Sequence, residues 1–371
     1  MNWKDFDLFV YFSEQRNRMF ESLFQRMVGT ETMMHATNLT RCTCIFKALQ
    51  QAQKMYDDPF DGKTPNPYHN ALHGADVLWS TSHLIRALRV ELKVSLKLID
   101  NPDIIFDISI AALFHDYRHL GVNNDFLKRS RHELAMRYCD RAVLEHHHAS
   151  EALRLLDRTD VTKSMSFERR SQFRKRVSSF ILATDFARQN RGIEEVEGFL
   201  GKYLKACRSN DSEPKSYLPS FHERGLESVL NLVIECSDVG HPTKSSKIHM
   251  RWALLVQEEF FLQGKLQEKA NINDPIGLFT ESKMKGNKWA KSMDFFVSNI
   301  VFRKWNVLLP LCQKELRNHW MNRLKSNRDA WQAEALNELS AGFDGVMNRK
   351  LHSDDMFQKT RRGLELLRRC D

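Results

Sequence analysis

Several features are missing from this 371-residue chain, and each absence excludes a class of protein. No uninterrupted apolar stretch approaches the roughly 20 residues that cross a bilayer, so we expect no integral membrane segment. The seven cysteines form no Cys-x-x-Cys pair, and their odd number favours free thiols over a disulfide framework. The N-terminus lacks a basic region followed by an apolar core, so we expect no secretory signal. Together these absences predict an intracellular, cytoplasmic location.

Strand-like alternation is scarce, whereas apolar residues recur at helical spacing through most of the chain. Two clear stripes comprise Phe173, Val177, Phe180 and Ile181, and then Leu226, Val229, Leu230, Val233 and Ile234. The pattern predicts an all-α fold, a compact domain of many helices. No repeat and no break typical of a domain boundary interrupts residues 1–371, which we therefore interpret as a single domain. The more highly charged stretch 320–371 is interpreted as a looser C-terminal helical appendage.

Basic residues exceed acidic ones and give a formal net charge of +9. The densest basic run is "ERRSQFRKR", residues 168–176. Such a run could contact nucleic acid or an anionic membrane, but more often it forms a solvated helix face. The chain has no zinc-finger spacing, RNA-binding signature or basic zipper, so we expect no nucleic-acid partner. The sequence identifies no protein partner.

Histidine is concentrated in one part of the chain, with nine of the fifteen lying between His69 and His148. In "YHNALHGADV" (68–77), His69 and His73 are spaced i, i+4, which puts them on one face of a helix. "ALFHDYRHLGVNN" (112–124) repeats that spacing, with a carboxylate beside the first histidine, at the end of an apolar run. These residues could be ordinary surface histidines or a buried His–Asp pair. A bound cation would equally offset the cost of burying them.

Three later segments offer oxygen ligands. "VLEHHHASEALRLL" (143–156) contains Glu145, Thr184 ends an amphipathic helix, and Asp238 continues the Leu230–Ile234 stripe. Two imidazoles and two carboxylates suit zinc or another transition ion with open positions for water. A carboxylate such as Asp116 can bridge to a second, harder ion, and two ions would activate water against a phosphate. The pattern predicts metal-assisted hydrolysis of a phosphate ester.

The chain resembles the catalytic domain of the 3′,5′-cyclic-nucleotide phosphodiesterases, most strongly over residues 30–310. The resemblance rests on six segments in the family's order: "YHNALHGADV", "ALFHDYRHLGVNN", "LEHHHASEALRLL", "ILATD", "SDVGHPTK" and "QEEFFLQG". It implies a single all-α catalytic domain with a deep pocket for two metal ions. The implied substrate is a cyclic nucleotide, with cyclic AMP slightly favoured over cyclic GMP because it is the commoner substrate in the family.

The resemblance also implies a role for individual residues. One divalent ion, Zn²⁺ in a tight site, would be held by His73, His115, Asp116 and Asp238. Asp116 would be shared with a second ion, Mg²⁺ or Mn²⁺, and the waters around that ion would be held by His119, Glu145 and Thr184. His69 matches the general acid that protonates the departing O3′ after attack by a hydroxide activated by both ions. Glu145 is the predicted acceptor for the other nitrogen of His69.

The base-binding residues depart from the family pattern. Tyr68 and Phe296 match substrate-binding positions, and Phe296 matches the phenylalanine that stacks on the purine. The family's base-reading glutamine is replaced by Met293, and an asparagine that often precedes "PTK" is replaced by His241. A thioether cannot form the bidentate pair of an amide. The sequence therefore predicts an active hydrolase with weak or relaxed base selectivity.

Two rival functions remain open from the sequence. The chain could be a metal-dependent His–Asp phosphohydrolase that acts on another nucleotide, although the "YHN" segment and the Phe296 region argue against this. It could also be a catalytically silent scaffold that binds a small molecule. The altered base site favours this hypothesis, and the complete set of metal ligands disfavours it.

Overall fold

The computed structural model describes residues 7–336 apart from 16–17, 41, 58–64, 92–100, 189, 199–217, 275–276, 281–283 and 285. The described residues contain no β-strand, so the all-α prediction is confirmed. The helices with defined bounds are α1 (Leu8–Gln15), α2 (Met19–Val28), α3 (Thr30–Thr37), α4 (Thr43–Asp57), α5 (Ala71–Glu91), α6 (Pro102–Phe114), α7 (Asn124–Arg129), α8 (Glu133–Arg137), α9 (Val143–Arg158), α10 (Phe167–Ala183), α11 (Leu218–Asp238), α12 (Ser246–Lys269), α13 (Lys288–Phe296), α14 (Phe302–Leu308) and α15 (Lys314–Leu336). Residues 190–198 are also helical. None of these helices combines the length and apolar character that crossing a bilayer requires.

Helix α6 is the most apolar helix of the fold and lies near its centre, in contact with α3, α5 and α10. The Asn101 side chain caps it by accepting from the Asp103 N–H at 2.9 Å, and Pro102 occupies the first turn, where no N–H is needed. Almost all of the helix from Ile104 onward is buried, because apolar residues cover its whole circumference. Its C-terminal end therefore delivers the residue that follows, His115, into the interior.

Large aromatic side chains fill the core between the helices. Phe20, Trp252, Trp289 and Trp305 are almost completely inaccessible to solvent. Each such side chain contributes about 1.5–3 kcal/mol through removal of its apolar surface from water. A small second cluster under α7 and α8 contains Val122, Leu127, Leu134, Ala135, Val143 and Leu144.

The densest basic run of the sequence is partly buried rather than a free solvated face. Arg169, in α10, donates to the two carboxylate oxygens of Asp107 at 2.6 and 3.1 Å, and Arg176 donates to the same group at 3.4 Å. Asp107 is completely buried in α6. Burial raises the pKa of this carboxyl group, while the two arginines oppose that rise. The run therefore attaches α10 to the central helix.

Replacing Arg169 with alanine is expected to lower the free energy of unfolding by about 3 kcal/mol, because the Asp107 carboxylate then loses its closest partner inside the core. Chemical denaturation would measure the loss. Arg174→Ala is the matched control, since Arg174 is exposed on the same helix and its removal is expected to change the stability by less than about 0.5 kcal/mol. Equal losses in both variants would contradict the buried ion pair.

The beginning of the predicted C-terminal appendage is a packed helix in the structure. Helix α15 contacts α13 and the short turn His241–Thr243. Trp320, Leu324 and Trp331 are buried on its inner face. The expectation of a looser appendage therefore does not hold for residues 320–336, whereas residues 337–371 lie outside the described residues.

Candidate metal centre

Four side chains from three separate parts of the chain converge in the interior. His73 comes from the first turn of α5, His115 and Asp116 follow α6, and Asp238 ends α11. One ligand atom from each of the four lies within 4.8 Å of all the others. His73 Nε2 is 3.0 Å from Asp238 Oδ1, and His115 Nε2 is 2.9 Å from Asp116 Oδ2. The four residues that the sequence predicts as ligands are thus brought together.

The environment of His115 tests whether this cluster suits a metal ion. Its Nδ1–H donates to the Ala112 carbonyl at 3.0 Å, which leaves a lone pair on Nε2 directed at the carboxylates. Nε2 is fully buried and has no hydrogen-bond partner among the described residues. A buried nitrogen lone pair beside two carboxylates is poorly satisfied by the protein alone. A divalent cation would accept electron pairs from the nitrogen and from the carboxylate oxygens together. The donor set therefore fits a metal ion.

The charges of the cluster lead to the same interpretation. Burial by itself lowers the pKa of His115, but the Asp116 and Asp238 carboxylates outweigh this effect and hold that pKa well above its usual value. Burial also disfavours the ionised form of Asp238, yet the facing imidazoles keep the pKa of this carboxyl below its usual value. A cation can replace the imidazole protons as the counter-charge of the carboxylates.

His148 is a further buried histidine at this centre, and the sequence does not single it out within its triple-histidine run. Its Nδ1–H donates to the Tyr117 carbonyl at 2.8 Å, and its Nε2 lies 3.7 Å from Asp116 Oδ1. Nε2 has no hydrogen-bond partner among the described side chains, and burial lowers the pKa of the ring to about 3. A neutral His148 therefore presents a lone pair on the far side of Asp116.

His69 lies beside the centre but not on the helix that carries His73. The Asn70 side chain accepts from the Leu72 N–H at 2.9 Å and from the His73 N–H at 3.3 Å, so it caps α5, which begins at Ala71. The prediction that His69 and His73 share a helical face is therefore wrong. His69 Nε2 instead approaches the centre from the preceding turn, 4.0 Å from Asp116 Oδ2.

Glu259, from α12, is the carboxylate that holds His69. One Glu259 oxygen contacts His69 Nδ1, and the other accepts from the Tyr68 and His69 backbone N–H groups at 2.9 and 3.0 Å. Burial lowers the pKa of His69, but the charges of Glu259 and Asp116 outweigh it and raise this pKa to about 9. The only sequence signal for Glu259 is its position in the segment "QEEFFLQG".

The prediction that Glu145 holds His69 is wrong. Glu145 instead accepts from the Asn124 side-chain amide at 3.0 and 3.2 Å, and Asn124 also accepts from the Leu144 N–H at 2.9 Å. These bonds connect the start of α9 to α7, whereas His69 Nδ1 contacts Glu259. Burial raises the pKa of the Glu145 carboxyl to about 7.

His119 lies in a turn rather than one helical turn after His115. Helix α6 ends at Phe114, and Arg118 adopts a positive φ of 62°, so the second predicted i, i+4 pair is also wrong. His119 stacks on the His69 ring at 3.8 Å and 21° and accepts from the Gly121 N–H at 3.0 Å. Together with His69 and Asp116 it forms a second group that could hold a cation.

Gly121 is required by this turn for two reasons. Its φ is 68°, in the left-handed region, and a Cβ built there lies 2.6 Å from the Asn66 side-chain oxygen. Asn66 donates to the His119 carbonyl at 2.8 Å and to the His69 carbonyl at 3.1 Å. The asparagine thereby ties the two stacked histidines together.

Thr184, a predicted water-holding residue, lines the same part of the surface as Asp238. Its hydroxyl donates to the Ile181 carbonyl at 2.8 Å, which leaves the oxygen lone pairs available. Thr184 and Asp238 line a shallow surface indentation together with Phe186, Glu235, Val239 and Lys304. A buried ion pair between Lys304 and Glu235 forms part of its wall.

Three of the predicted substrate-binding residues, Tyr68, His241 and Phe296, are connected in series by ring contacts to the predicted ligand His73. Tyr68 lies 4.5 Å from the His73 ring and 6.5 Å from the His241 ring, measured between centroids. His241 in turn lies nearly parallel to Phe296, at 5.7 Å and 16°. Met293 is buried one turn before Phe296 on α13. Tyr68, His241 and Phe296 are thus neighbours in the fold, and Met293 lies on the same helix as Phe296.

An all-α fold that encloses a histidine–carboxylate centre of this composition defines a metal-dependent class of protein. The model of the 3′,5′-cyclic nucleotide phosphodiesterase family matches residues 68–323, which is more than half of the chain. The chain belongs to this family, as its sequence motifs predict.

Curated relatives agree with the family. A 3′,5′-cyclic-AMP phosphodiesterase of Drosophila melanogaster, isoform F, is 29% identical over 72% of this chain and 38% of its own length. The dual specificity calcium/calmodulin-dependent 3′,5′-cyclic nucleotide phosphodiesterase 1B of Mus musculus is 30% identical over 69% of this chain and 43% of its own length. The chain therefore matches less than half the length of either relative.

The fold is shared with solved structures. The phosphodiesterase domain of the RhoPDE fusion protein from the choanoflagellate Salpingoeca rosetta has a TM-score of 0.71 and 23% identity, covering 90% of this chain and 95% of that one. At this level of identity the likeness concerns the fold.

Proposed function

We propose that the protein hydrolyses a 3′,5′-cyclic nucleotide to the 5′-monophosphate. The observation that carries this proposal is the convergence of His73, His115, Asp116 and Asp238 beside His69. A cluster of this kind needs a cation, and His69 supplies the acid that departure of an alkoxide demands. The names of the Drosophila and mouse relatives, which specify cyclic AMP and cyclic nucleotides, support the same substrate class.

We assign the tight site to Zn²⁺, because two imidazoles and two carboxylates match its preferred donors. The second site, at Asp116, is assigned to Mg²⁺ or Mn²⁺, with His119, Glu145 and Thr184 holding the surrounding waters. When bound, the two cations supply an activated water and neutralise the phosphoryl oxygens.

The remaining chemistry falls to side chains of the chain itself. His69 donates its Nε2 proton to the departing O3′, and Glu259 both orients the ring through Nδ1 and keeps it protonated near neutral pH. Stacking of neutral His119 on His69 holds the acid on the side of Asp116. Phe296 offers a face for the base.

Product analysis with defined metals is the test of this function. The metal-loaded protein is expected to convert cyclic AMP or cyclic GMP to the 5′-monophosphate, and His69→Ala is expected to retain the metal of the tight site while losing hydrolysis. Turnover of other nucleotides alone would instead favour the rival phosphohydrolase. Tight nucleotide binding with no turnover in the wild type would favour a silent scaffold.

The contacts of the described residues give no support to the preference for cyclic AMP, which comes from family frequency alone. The intracellular, cytoplasmic location also stays a prediction, supported by the free thiols of the described cysteines.

A further inference from the structure

Behind the base side of the site lies a hydrogen-bonded chain of three ring side chains that the proposed reaction does not use. Trp331 Nε1 donates to His249 Nε2 at 2.6 Å, and His249 Nδ1 lies 2.8 Å from His241 Nδ1. All three residues are at most 4% exposed. We call the set Trp331–His249–His241 the imidazole relay. It runs from α15 through α12 to the turn that follows Asp238.

The proton positions in the imidazole relay follow from counting donors. An indole nitrogen only donates, so His249 Nε2 must accept the Trp331 proton. Burial lowers the pKa of His249 to about 3, and burial followed by the neighbouring His249 lowers the pKa of His241 well below its usual value, so both rings are neutral. A neutral His249 that accepts at Nε2 carries its proton on Nδ1. That proton occupies the short contact to His241.

His241 is thereby left with one possible tautomer. Its Nδ1 accepts from His249, so its own proton must be on Nε2. His241 Nε2 makes no hydrogen bond to a described residue, and it is not one of the fully inaccessible side-chain nitrogens, so this N–H reaches solvent although the residue is only 4% exposed. An N–H donor that reaches solvent from an otherwise buried ring is available to an acceptor on a bound ligand.

The position of this donor identifies the acceptor. His241 lies between Tyr68, which contacts the ligand residue His73, and Phe296, the stacking face for the base. In our proposed function the phosphate lies at the metal centre, so the base extends toward His241. Met293 offers no acceptor or donor of comparable strength on this side.

We propose that His241 selects cyclic nucleotides whose purine carries an oxygen at position 6, with Trp331 and His249 as the positioning residues that lock its tautomer. Guanine and hypoxanthine present two adjacent acceptors, O6 and N7, to a fixed N–H donor. Adenine instead carries an amino group at position 6, next to N7. This N6 donor would face the N–H donor of His241, which is unfavourable. This inference rests on the proposed function and specifies the substrate class of that site.

Cyclic IMP and cyclic AMP form the sharpest pair of probes, since they differ at position 6 and in the N1 proton that accompanies it. The wild type is expected to have a kcat/KM about tenfold higher for cyclic IMP than for cyclic AMP, which corresponds to one hydrogen bond gained and one repulsion avoided. Trp331→Phe frees the His249 tautomer, so His241 Nε2 can become an acceptor. In this variant the ratio of kcat/KM for cyclic IMP to that for cyclic AMP should fall toward one. The change should appear in KM and not in kcat.

Trp289→Phe is the matched control, because Trp289 packs edge-on against Trp331 at 5.0 Å but lies outside the imidazole relay. This variant is expected to keep the wild-type ratio. A second measurement does not require the replacement of a large side chain. Nitrogen-15 NMR of histidine-labelled protein should show protonated Nε2 and unprotonated Nδ1 for His241, with the signal assigned through His241→Asn.

A wild-type ratio near one, or one that favours cyclic AMP, would overturn this inference while leaving the proposed function intact. A protonated Nδ1 on His241, or an unchanged ratio in a folded Trp331→Phe protein, would also overturn it. If the protein hydrolysed no cyclic nucleotide at all, the proposed function itself would be wrong, and the preference for a 6-oxo purine would be wrong with it.

Discussion

Asp238→Asn is expected to lower both bound metal and kcat/KM, the latter by at least about a thousandfold. Asp238 accepts from His73 and lies 3.3 Å from His115 Nε2, so it belongs to the tight site rather than to its surroundings. Asparagine keeps the volume but removes the negative charge that balances the cation. Loss of several kcal/mol of electrostatic stabilisation corresponds to about three powers of ten in rate. Metal analysis after dialysis, combined with kinetics, would measure both effects.

Asp76→Asn is the matched control for that substitution. Asp76 is a buried carboxylate of α5 that pairs with Lys244 and contributes no atom to the ligand cluster. Its amide variant is expected to retain the wild-type metal content. If Asp238→Asn also retained its metal and its rate, the four-residue centre would not be the catalytic site.

Glu259→Gln is expected to move the alkaline limb of the pH–rate profile to lower pH. His69 has its pKa raised to about 9, with the charge of Glu259 the largest contribution that raises it. The protonated ring is the active form, so the rate holds below this pKa and falls as pH rises through it. Without the Glu259 charge, burial is opposed less strongly and lowers the pKa of His69, so the ring loses its proton at a lower pH. At pH 8 the rate should drop by about tenfold or more.

Glu145→Gln tests which carboxylate holds His69. The sequence assigns Glu145 to this role, and the structure assigns Glu259. Because Glu145 bonds to Asn124 rather than to His69, its amide variant should leave the limb near pH 9 in place. A limb that moves in Glu145→Gln and stays fixed in Glu259→Gln would restore the sequence-based assignment and contradict the observed contact.

The sequence predicted the ligand set because each ligand lies inside a short segment with its own signal. His115 and Asp116 directly follow an apolar run, and Asp238 continues a buried stripe. Helical spacing was the less reliable guide, since it placed His69 with His73 and His115 with His119 on common faces. In the structure Asn70 starts one helix after His69, and Phe114 ends the other before His115. A capping side chain overrides spacing because it satisfies backbone groups that the helix leaves open.

Pairings between distant segments were beyond the reach of the sequence. Glu259 is 190 positions from His69, and Trp331 is 82 positions from His249. Arg169 and Asp107 likewise meet only because α10 packs on α6, which turns an apparently solvated basic run into a buried ion pair. Local periodicity carries no information about which helices meet, so these partners and the proton positions they impose follow from packing alone.

Helical periodicity by itself predicted that this protein is all-α. Its six short motifs carried the resemblance to the cyclic-nucleotide phosphodiesterase family, and with it the residues to expect as ligands. Those properties depend on residue type and local order, which the chain carries directly. Only the tertiary structure decided which carboxylate holds His69 and which tautomer His241 adopts. Both depend on single hydrogen bonds between helices far apart in sequence, and a hydrogen bond acts only over about 3 Å.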